Sequence, residues 1–119
     1  FPTRRSSDLV EGVAGIDRLK GRFLDRPEVS TATVRALAIA LADHAGRRDD
    51  TGEAALAALK DLGAARTETV GYLARALMDR EDWSEGGRLA LLLDAGRIED
   101  PADEFFVGHY VATAEAAGS

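Results

Sequence analysis

The sequence predicts an all-α protein made of stacked antiparallel helix hairpins, a short α-solenoid of about six helices. First, the segment 33–43 (TVRALAIALAD) returns as 69–79 (TVGYLARALMD) with seven of eleven positions identical at an offset of 36 residues, which is typical of a helical repeat array. Second, apolar residues recur every three or four positions along most of the chain, the spacing of one face of an α-helix. Third, no run alternates Val, Ile or Thr with polar residues between turns, so no β-strand is predicted.

The first two helices are predicted from their boundaries. The first covers residues 10–24 and stops before Pro27, because proline disfavours helical geometry in the residue that precedes it. The second begins after Ser30 or Thr31, since both residue types can accept a hydrogen bond from the first turn of a helix. Its apolar stripe is predicted at Val34, Leu37 and Leu41.

The third and fourth helices complete the first repeat unit and open the second. The third is predicted over residues 53–62, after a cap at Asp50 or Thr51. Gly63 is expected to end it as a left-handed C-terminal cap. The fourth helix opens at Thr67. Its stripe repeats that of the second helix at Val70, Leu73 and Leu77.

The last two helices are marked by aromatic, glycine and proline residues. Trp83 leads into the fifth helix, and Gly96 closes it. Asp100 caps the sixth, and Pro101 takes its first helical position, where the missing N–H is not needed. One face of this helix is predicted to carry Phe105, Phe106, His109, Tyr110, Thr113 and Ala114. We expect His109 to be packed and hydrogen-bonded within the protein.

The first nine residues differ from the remainder of the chain. The segment FPTRRSSDL has two adjacent Arg and two adjacent Ser without an apolar period, and it resembles the translation of a common sequencing-library adapter. We expect residues 1–9 to be a non-native leader, and residues 10–119 to be a helical-repeat domain that is the C-terminal fragment of a longer array. A natural disordered arm is the alternative, because chain termini are often loose.

Composition argues against several classes of function. The 119 residues include no cysteine, which removes disulfides, thiolate metal sites and thiol nucleophiles and favours a reducing compartment such as the cytoplasm. The formal net charge is −6, whereas a nucleic-acid-binding protein usually shows a basic stripe. No run approaches the roughly 18 apolar residues of a membrane span. We therefore expect neither a nucleic-acid nor a membrane partner.

The fourth and fifth helices resemble a tetratricopeptide repeat. Leu73 stands at the Leu position of the family's first helix, and Trp83 takes the place of the aromatic residue in its turn. Gly86 takes the small contact position, and Ala90 falls at an apolar one. HEAT-like repeats are a rival, because the segments 76–79 and 96–101 also look like that family. Arrays of either kind stack helical hairpins and present an extended binding surface.

This resemblance implies a partner-binding surface on the first helix of each hairpin. Carried over by position, the residues that would line the concave face are Arg35, Ile39, Ala42, Gly71, Arg75 and Met78. They lie off the apolar stripes, so we expect them to be exposed. Arg35 and Arg75 could pair with carboxylates of a ligand, with plain solvent exposure of both arginines as the alternative.

No catalytic, metal or cofactor site is predicted. His44 and His109 are far apart in the sequence and lack metal-ligand spacing. A catalytic histidine needs an orienting partner, and we expect His44, near a helix end, to have a structural or solvent role. An acidic cluster at the start of the last helix comprises Glu99, Asp100, Asp103 and Glu104. Acids in this position complement the helix dipole, and no loop has the spacing of a calcium site.

The sequence therefore predicts a non-catalytic scaffold that binds a protein or peptide segment and needs no cofactor. One alternative is a DNA-binding regulator, since residues 30–38 have some features of the recognition helix of a helix-turn-helix repressor. Another is an accessory helical domain of a larger enzyme. The identity of the partner and the oligomeric state stay open.

Overall fold

The computed structural model describes residues 12–24 and 28–117. Every regular element within these residues is helical, which confirms the all-α class with about six helices. The predicted leader, residues 1–9, and the predicted start of the first helix at residue 10 lie outside the described residues.

The described part of the chain forms six α-helices. They are α1 (Gly12–Leu19, continued by a π-helical turn Lys20–Leu24), α2 (Thr31–Ala45), α3 (Asp50–Ala65), α4 (Val70–Asp79, after a 3-10 turn Thr67–Thr69), α5 (Gly86–Asp94) and α6 (Pro101–Ala117).

Three predicted helix boundaries are confirmed by the local geometry. Ser30 caps α2, because its Oγ accepts a hydrogen bond from the N–H of Thr33 at 3.2 Å. Asp100 does the same at the start of α6, where its Oδ1 accepts from the N–H of Ala102 at 2.8 Å. These side chains satisfy N–H groups that have no acceptor inside the helix. Gly96 adopts a φ of +68° just after α5, a left-handed conformation that suits glycine.

Helix α3 is longer than predicted at both ends. Its cap is Asp49, one residue before the predicted pair, and Asp49 Oδ1 accepts from the N–H of Gly52 at 3.1 Å. The predicted left-handed cap at Gly63 is wrong, because Gly63 lies inside the helix and is buried. A Cβ atom at this position would lie 3.0 Å from Cδ2 of Leu73. Glycine is therefore used here for the close approach of α3 and α4.

Helices α2 and α4 lie side by side and run in the same direction. Near their starts, Thr31 Oγ1 donates to Glu68 Oε2 at 3.1 Å. Where the two helices end, the guanidinium of Arg80 donates to the carbonyl of Ala45 at 2.6 Å. Both helices pack on α3, which returns between them in the opposite direction.

Helix α6 runs along the other side of α4, again in parallel. Asp103 lies against Gly71 near the two helix starts, and Phe106 lies against Arg75 one turn later. The order α2, α4, α6 gives a layer of three parallel helices with α4 in the middle.

The repeated stripe is buried in both copies. Its members are Val34, Leu37 and Leu41 in α2 and Val70, Leu73 and Leu77 in α4. Burial of each such side chain contributes roughly 1.5–3 kcal/mol. The duplication in sequence therefore corresponds to a duplication of core positions.

The second hairpin does not match the first. Helices α2 and α3 pack along each other, whereas α4 and α5 scarcely touch. Helix α5 packs on α6 instead, where a Cβ atom at Gly86 would lie 3.1 Å from Cβ of Ala114. The turn residue Trp83 also contacts α6, with its ring centre 5.4 Å from that of Tyr110. The expected stack of equivalent hairpins is therefore not confirmed.

Candidate binding groove

An open groove follows the seam between α2 and α4, along the second half of α2 and most of α4. We call it the α2–α4 groove; its volume is about 350 Å³ and its lining consists of Ile39, Ala42, Asp43, Tyr72, Arg75, Ala76 and Asp79. Each helix contributes residues three or four apart, which lie on one side of a helix. The parallel packing of α2 and α4 brings these two sides together.

The walls of the groove combine apolar and acidic groups. Ile39 is 48% exposed, which is high for an isoleucine, and Tyr72 opposite it is half-buried. The carboxylates of Asp43 and Asp79 make no hydrogen bond or ion pair with the described residues. The groove can therefore offer both apolar contact and unpaired acceptors to a ligand.

Arg75 is held in place by an aromatic ring rather than by a carboxylate. Its guanidinium carbon lies 4.8 Å from the centre of the Phe106 ring, a cation–π contact worth about 0.5–1 kcal/mol at an exposed site. The side chain donates no hydrogen bond to the described residues. A ring beneath the guanidinium leaves its N–H edges available to a planar acceptor such as a carboxylate.

An exposed aromatic cluster on α6 adjoins Arg75. Phe105 packs edge-on against Phe106, with 5.4 Å between ring centres. It also stacks parallel to the His109 ring at 6.5 Å. Phe105 is 67% exposed and His109 is exposed. The cluster extends the surface of the α2–α4 groove towards α6.

The prediction that His109 is packed inside the protein is therefore wrong. The buried face of α6 consists of Asp103, Val107 and Tyr110, because α4 and α5 pack on that side. His109 lies on a different face, and its contact with Phe105 is on the surface.

Of the six predicted partner-binding residues, the groove brings together Ile39, Ala42 and Arg75. Met78 is half-buried, packs against the core and does not line the groove. The expected exposure of Gly71 is wrong, because Gly71 is buried beneath α6. A Cβ atom at Gly71 would lie 3.0 Å from Cα of Asp103, so this position serves helix packing.

Arg35 lies one helical turn before Ile39 but outside the groove. Its Nη2 donates to Asp100 Oδ2 at 3.2 Å and lies 3.8 Å from Asp103 Oδ2. About a third of its side chain is exposed. The expected exposure therefore holds only in part, and the charge of Arg35 is already paired within the chain.

A second, polar pocket lies where α2, α4 and α6 begin. We call it the acidic pocket; its volume is about 310 Å³ and its lining consists of Thr31, Arg35, Thr67, Glu68, Glu99, Asp100 and Asp103. It exists because three parallel helices place their first turns at the same end of the layer. Four carboxylates face one guanidinium in this lining.

Two of these carboxylates are well satisfied. Burial opposes ionisation of Glu68, but hydrogen bonds from its own N–H, from Arg66 and from Thr31 hold its pKa below the ordinary value. The pKa of Asp100 is also lowered, first by the hydrogen bond from the Ala102 N–H and further by Arg35.

Asp103 differs from its neighbours. It is only 8% exposed, and its Oδ2 is buried without a hydrogen bond from the described part of the chain. The 3.8 Å to Arg35 is too long for a hydrogen bond. Burial raises the pKa of Asp103, and repulsion from Asp100 raises it further. The Nε of Arg35 is likewise buried without an acceptor among residues 12–24 and 28–117, and such orphaned groups cost about 1–3 kcal/mol each.

The sequence reasoning missed Asp43, Tyr72 and Asp79 as groove residues. Helical spacing could have predicted the two acids as groove residues. Asp43 follows Ile39 by four positions and Asp79 follows Arg75 by four, so each acid lies on the same side of its helix as a predicted binding residue. Tyr72 replaces Ala36 of the first copy, so comparing the two copies would have shown the added bulk.

Among residues 12–24 and 28–117, no group of three or more His, Asp or Glu side chains is arranged to hold a metal ion. Within the same part of the chain, no helix has the length and apolar character needed to cross a membrane. Comparison with protein-family models, curated proteins and solved structures finds nothing that matches this chain.

Proposed function

We propose that the chain is a non-catalytic scaffold of tetratricopeptide-like type that binds a peptide segment of another protein in the α2–α4 groove. An exposed isoleucine, Ile39, lies in the groove beside an arginine, Arg75, that has no carboxylate partner among the described residues, and this pairing carries the proposal. The groove, at about 350 Å³, has the size of the smaller ligand pockets of proteins. The lack of cysteine supports a reducing compartment for this function.

The ligand chemistry follows from the lining of the groove. An apolar side chain of the peptide would cover Ile39 and Tyr72 and remove their surface from water, which stabilises the complex by about 25 cal/mol per Å² of apolar area. A peptide carboxylate would pair with Arg75. Because Phe106 already positions the guanidinium, little side-chain freedom is lost on binding.

The first alternative, a DNA-binding regulator, has less support. In residues 30–38, the segment that has some features of a recognition helix, Arg35 is the one basic residue. It is ion-paired to Asp100 at 3.2 Å, so it would have to exchange this partner for a phosphate.

The test is selection of peptides from a random display library on the intact chain, followed by measurement of Kd by fluorescence anisotropy. We expect Arg75→Glu to weaken the selected peptides by about tenfold or more, since a charge-assisted contact is worth roughly 1.5–3 kcal/mol. Arg97→Glu is the matched control, because it makes the same change of charge. Arg97 is exposed and lies outside the groove. A second variant, Ile39→Glu, tests the apolar contact.

Two results would overturn the proposal. One is a selection that yields no peptide above background in repeated rounds. The other is a set of peptides whose affinity for the Arg75→Glu and Ile39→Glu variants equals their affinity for Arg97→Glu.

A further inference from the structure

The three parallel helices α2, α4 and α6 contact one another through equivalent positions. Ile39 of α2 and Tyr72 of α4 line the α2–α4 groove from opposite helices, and the guanidinium carbon of Arg75 in α4 lies 4.8 Å from the centre of the Phe106 ring in α6. Ile39 and Arg75 occupy the same position in the two copies of the repeated segment. We call the row of residues that contains Ile39 or Arg75 the forward row of its helix. The row that contains Tyr72 or Phe106 is the backward row.

The forward row of α6, the last helix of the layer, is open to solvent. In α4 the backward and forward residues are three positions apart. The same spacing from Phe106 gives His109, with Phe105 and Ala112 on the same side of the helix. All three are exposed, Phe105 to 67%. Helix α6 therefore presents a row with two large rings at the place where α2 and α4 contact the next helix.

The backward row of α2, the first helix of the layer, is also open to solvent. The same spacing counted back from Ile39 gives Ala36, with Thr33 and Ala40 on the same side of the helix. Thr33 and Ala36 are exposed, whereas Thr69, the equivalent of Thr33 in the second copy, is fully buried. Helix α2 therefore presents a row of small side chains at the place where α4 and α6 contact the previous helix.

An apolar cleft runs along the backward row of α2. We call it the α1–α2 cleft; its volume is about 200 Å³ and its lining consists of Leu19, Thr33, Ala36, Leu37 and Ala40. The cleft is open because Leu19 of α1 forms one wall and the side chains opposite it on α2 are small. An apolar cavity of about 150 Å³ can hold a benzene molecule. The α1–α2 cleft therefore has room for a phenyl ring.

We propose that α6 of one molecule docks on α2 of a second molecule of the same chain, parallel to it, with Phe105 in the α1–α2 cleft. The large side chains of the forward row of α6 then face the small side chains of the backward row of α2. The layer of parallel helices in one molecule continues into the layer of the next. Such a contact joins two different surfaces, so it is head-to-tail and open-ended rather than twofold symmetric.

A second copy fits these surfaces better than an unrelated helix. The chain itself carries both open rows, and each lies where the contacts between α2 and α4 and between α4 and α6 place the matching row. The two rows also differ in size in opposite senses, since Phe105 is large where Ala36 is small. One pair of helices forms a small interface, so we expect the association to be weak and reversible.

The test is sedimentation-velocity centrifugation of the intact chain from about 10 μM to about 1 mM, the range of weak complexes. We expect the average mass to rise with concentration. Phe105→Glu and Ala36→Glu should each weaken the association by about tenfold or more, because each would bury an unpaired carboxylate in an apolar contact. Leu91→Glu and Ala57→Glu are the matched controls, since both residues are exposed and lie on α5 and α3, outside the two rows.

A mixture of the two variants tests the head-to-tail pairing. The Phe105→Glu molecule keeps an intact backward row on α2, and the Ala36→Glu molecule keeps an intact forward row on α6. An equimolar mixture should therefore form a one-to-one dimer that grows no further, at concentrations at which each variant alone stays monomeric. Both substituted side chains are exposed, so the variants should fold like the unmodified chain.

A monomer mass at every concentration of the unmodified chain would overturn the proposal. So would association of Phe105→Glu or Ala36→Glu as strong as that of the controls, or a mixture whose mass does not exceed that of the separate variants. None of these results affects the α2–α4 groove, whose test depends on Arg75 and Ile39.

Discussion

The two copies of the repeated segment, in α2 and α4, bury the same stripe but differ on the opposite face. The stripe is the same because both helices pack on α3. On the other face, Arg35 in α2 corresponds to Gly71 in α4, and Ile39 corresponds to Arg75. Helix α4 has neighbours on both sides, α2 and α6, whereas α2 does not have α6 beside it. The two copies therefore share the residues that face the core and differ at the residues that face neighbouring helices.

The position of Gly71 shows why the face had to change. The start of α6 crosses α4 at this residue, and a side chain there would collide with Asp103. In α2 the same position carries Arg35, which reaches across to Asp100 at 3.2 Å. Gly71 in α4 therefore allows the close approach of α6, and Arg35 in α2 contacts α6 through a long side chain. Both contacts lie at the same end of the three-helix layer.

Truncation of the shared stripe should have the largest effect. Leu37→Ala and Leu73→Ala should each lower the free energy of unfolding by about 2–5 kcal/mol, because both side chains are buried and leave a cavity. Leu91→Ala is the control, since Leu91 is 70% exposed and its variant should change stability by less than about 1 kcal/mol. Urea unfolding followed by circular dichroism measures all three. If Leu37→Ala were as mild as Leu91→Ala, the equivalence of the two stripes would be lost.

A side chain at Gly71 should have an intermediate effect. Gly71→Ala is expected to destabilise the fold by about 1–3 kcal/mol, the usual cost of overpacking, because its Cβ would press on Asp103. Gly87→Ala in α5 meets nothing within 4 Å and should be neutral or stabilising by up to about 1 kcal/mol. The same unfolding experiment compares them. Equal stability of both variants would contradict the close crossing of α4 and α6.

The smallest effect is a pH dependence that separates Asp103 from Asp100. The folded pKa of Asp103 is raised, first by burial, so its ionisation costs the folded state stability as pH rises above the ordinary carboxyl pKa. The pKa of Asp100 is lowered, first by the Ala102 N–H, so its ionised form adds stability that is lost as pH falls through the folded pKa.

The variants should therefore diverge in opposite directions. Relative to the unmodified chain, Asp103→Asn should gain stability and Asp100→Asn should lose it as the pH is raised from about 4 to about 7. Unfolding midpoints at several pH values provide the measurement. Parallel curves for the two variants would show that the two carboxylates share one environment.

The local features of the fold were predictable from the sequence. The stripe positions 34, 37 and 41 follow from helical spacing alone, and Ser30 and Gly96 act within one turn of the helix ends they terminate. Such signals depend on neighbouring residues, so they do not require knowledge of the rest of the chain.

The failures share a cause. Gly63 looked like a helix end because glycine often follows an apolar stripe, yet the approach of Leu73 explains its presence. His109 looked buried because aromatic residues surround it in the sequence, yet α4 and α5 pack on the face that holds Val107 and Tyr110. In each case the deciding contact comes from a residue distant in the chain.

For the candidate site, the sequence predicted that Ile39, Ala42 and Arg75 lie on the solvent-facing side of their helices. It did not place Gly71 beneath α6, pair Arg35 with Asp100, or show that Oδ2 of Asp103 is buried without a hydrogen bond from the described residues. By itself the sequence determined which segments are helical and which stripe each helix buries, because helical hydrogen bonds and spacing act over four residues. Only the tertiary structure decided which helices meet, since apolar burial is non-directional and does not specify that α5 packs on α6 rather than on α4.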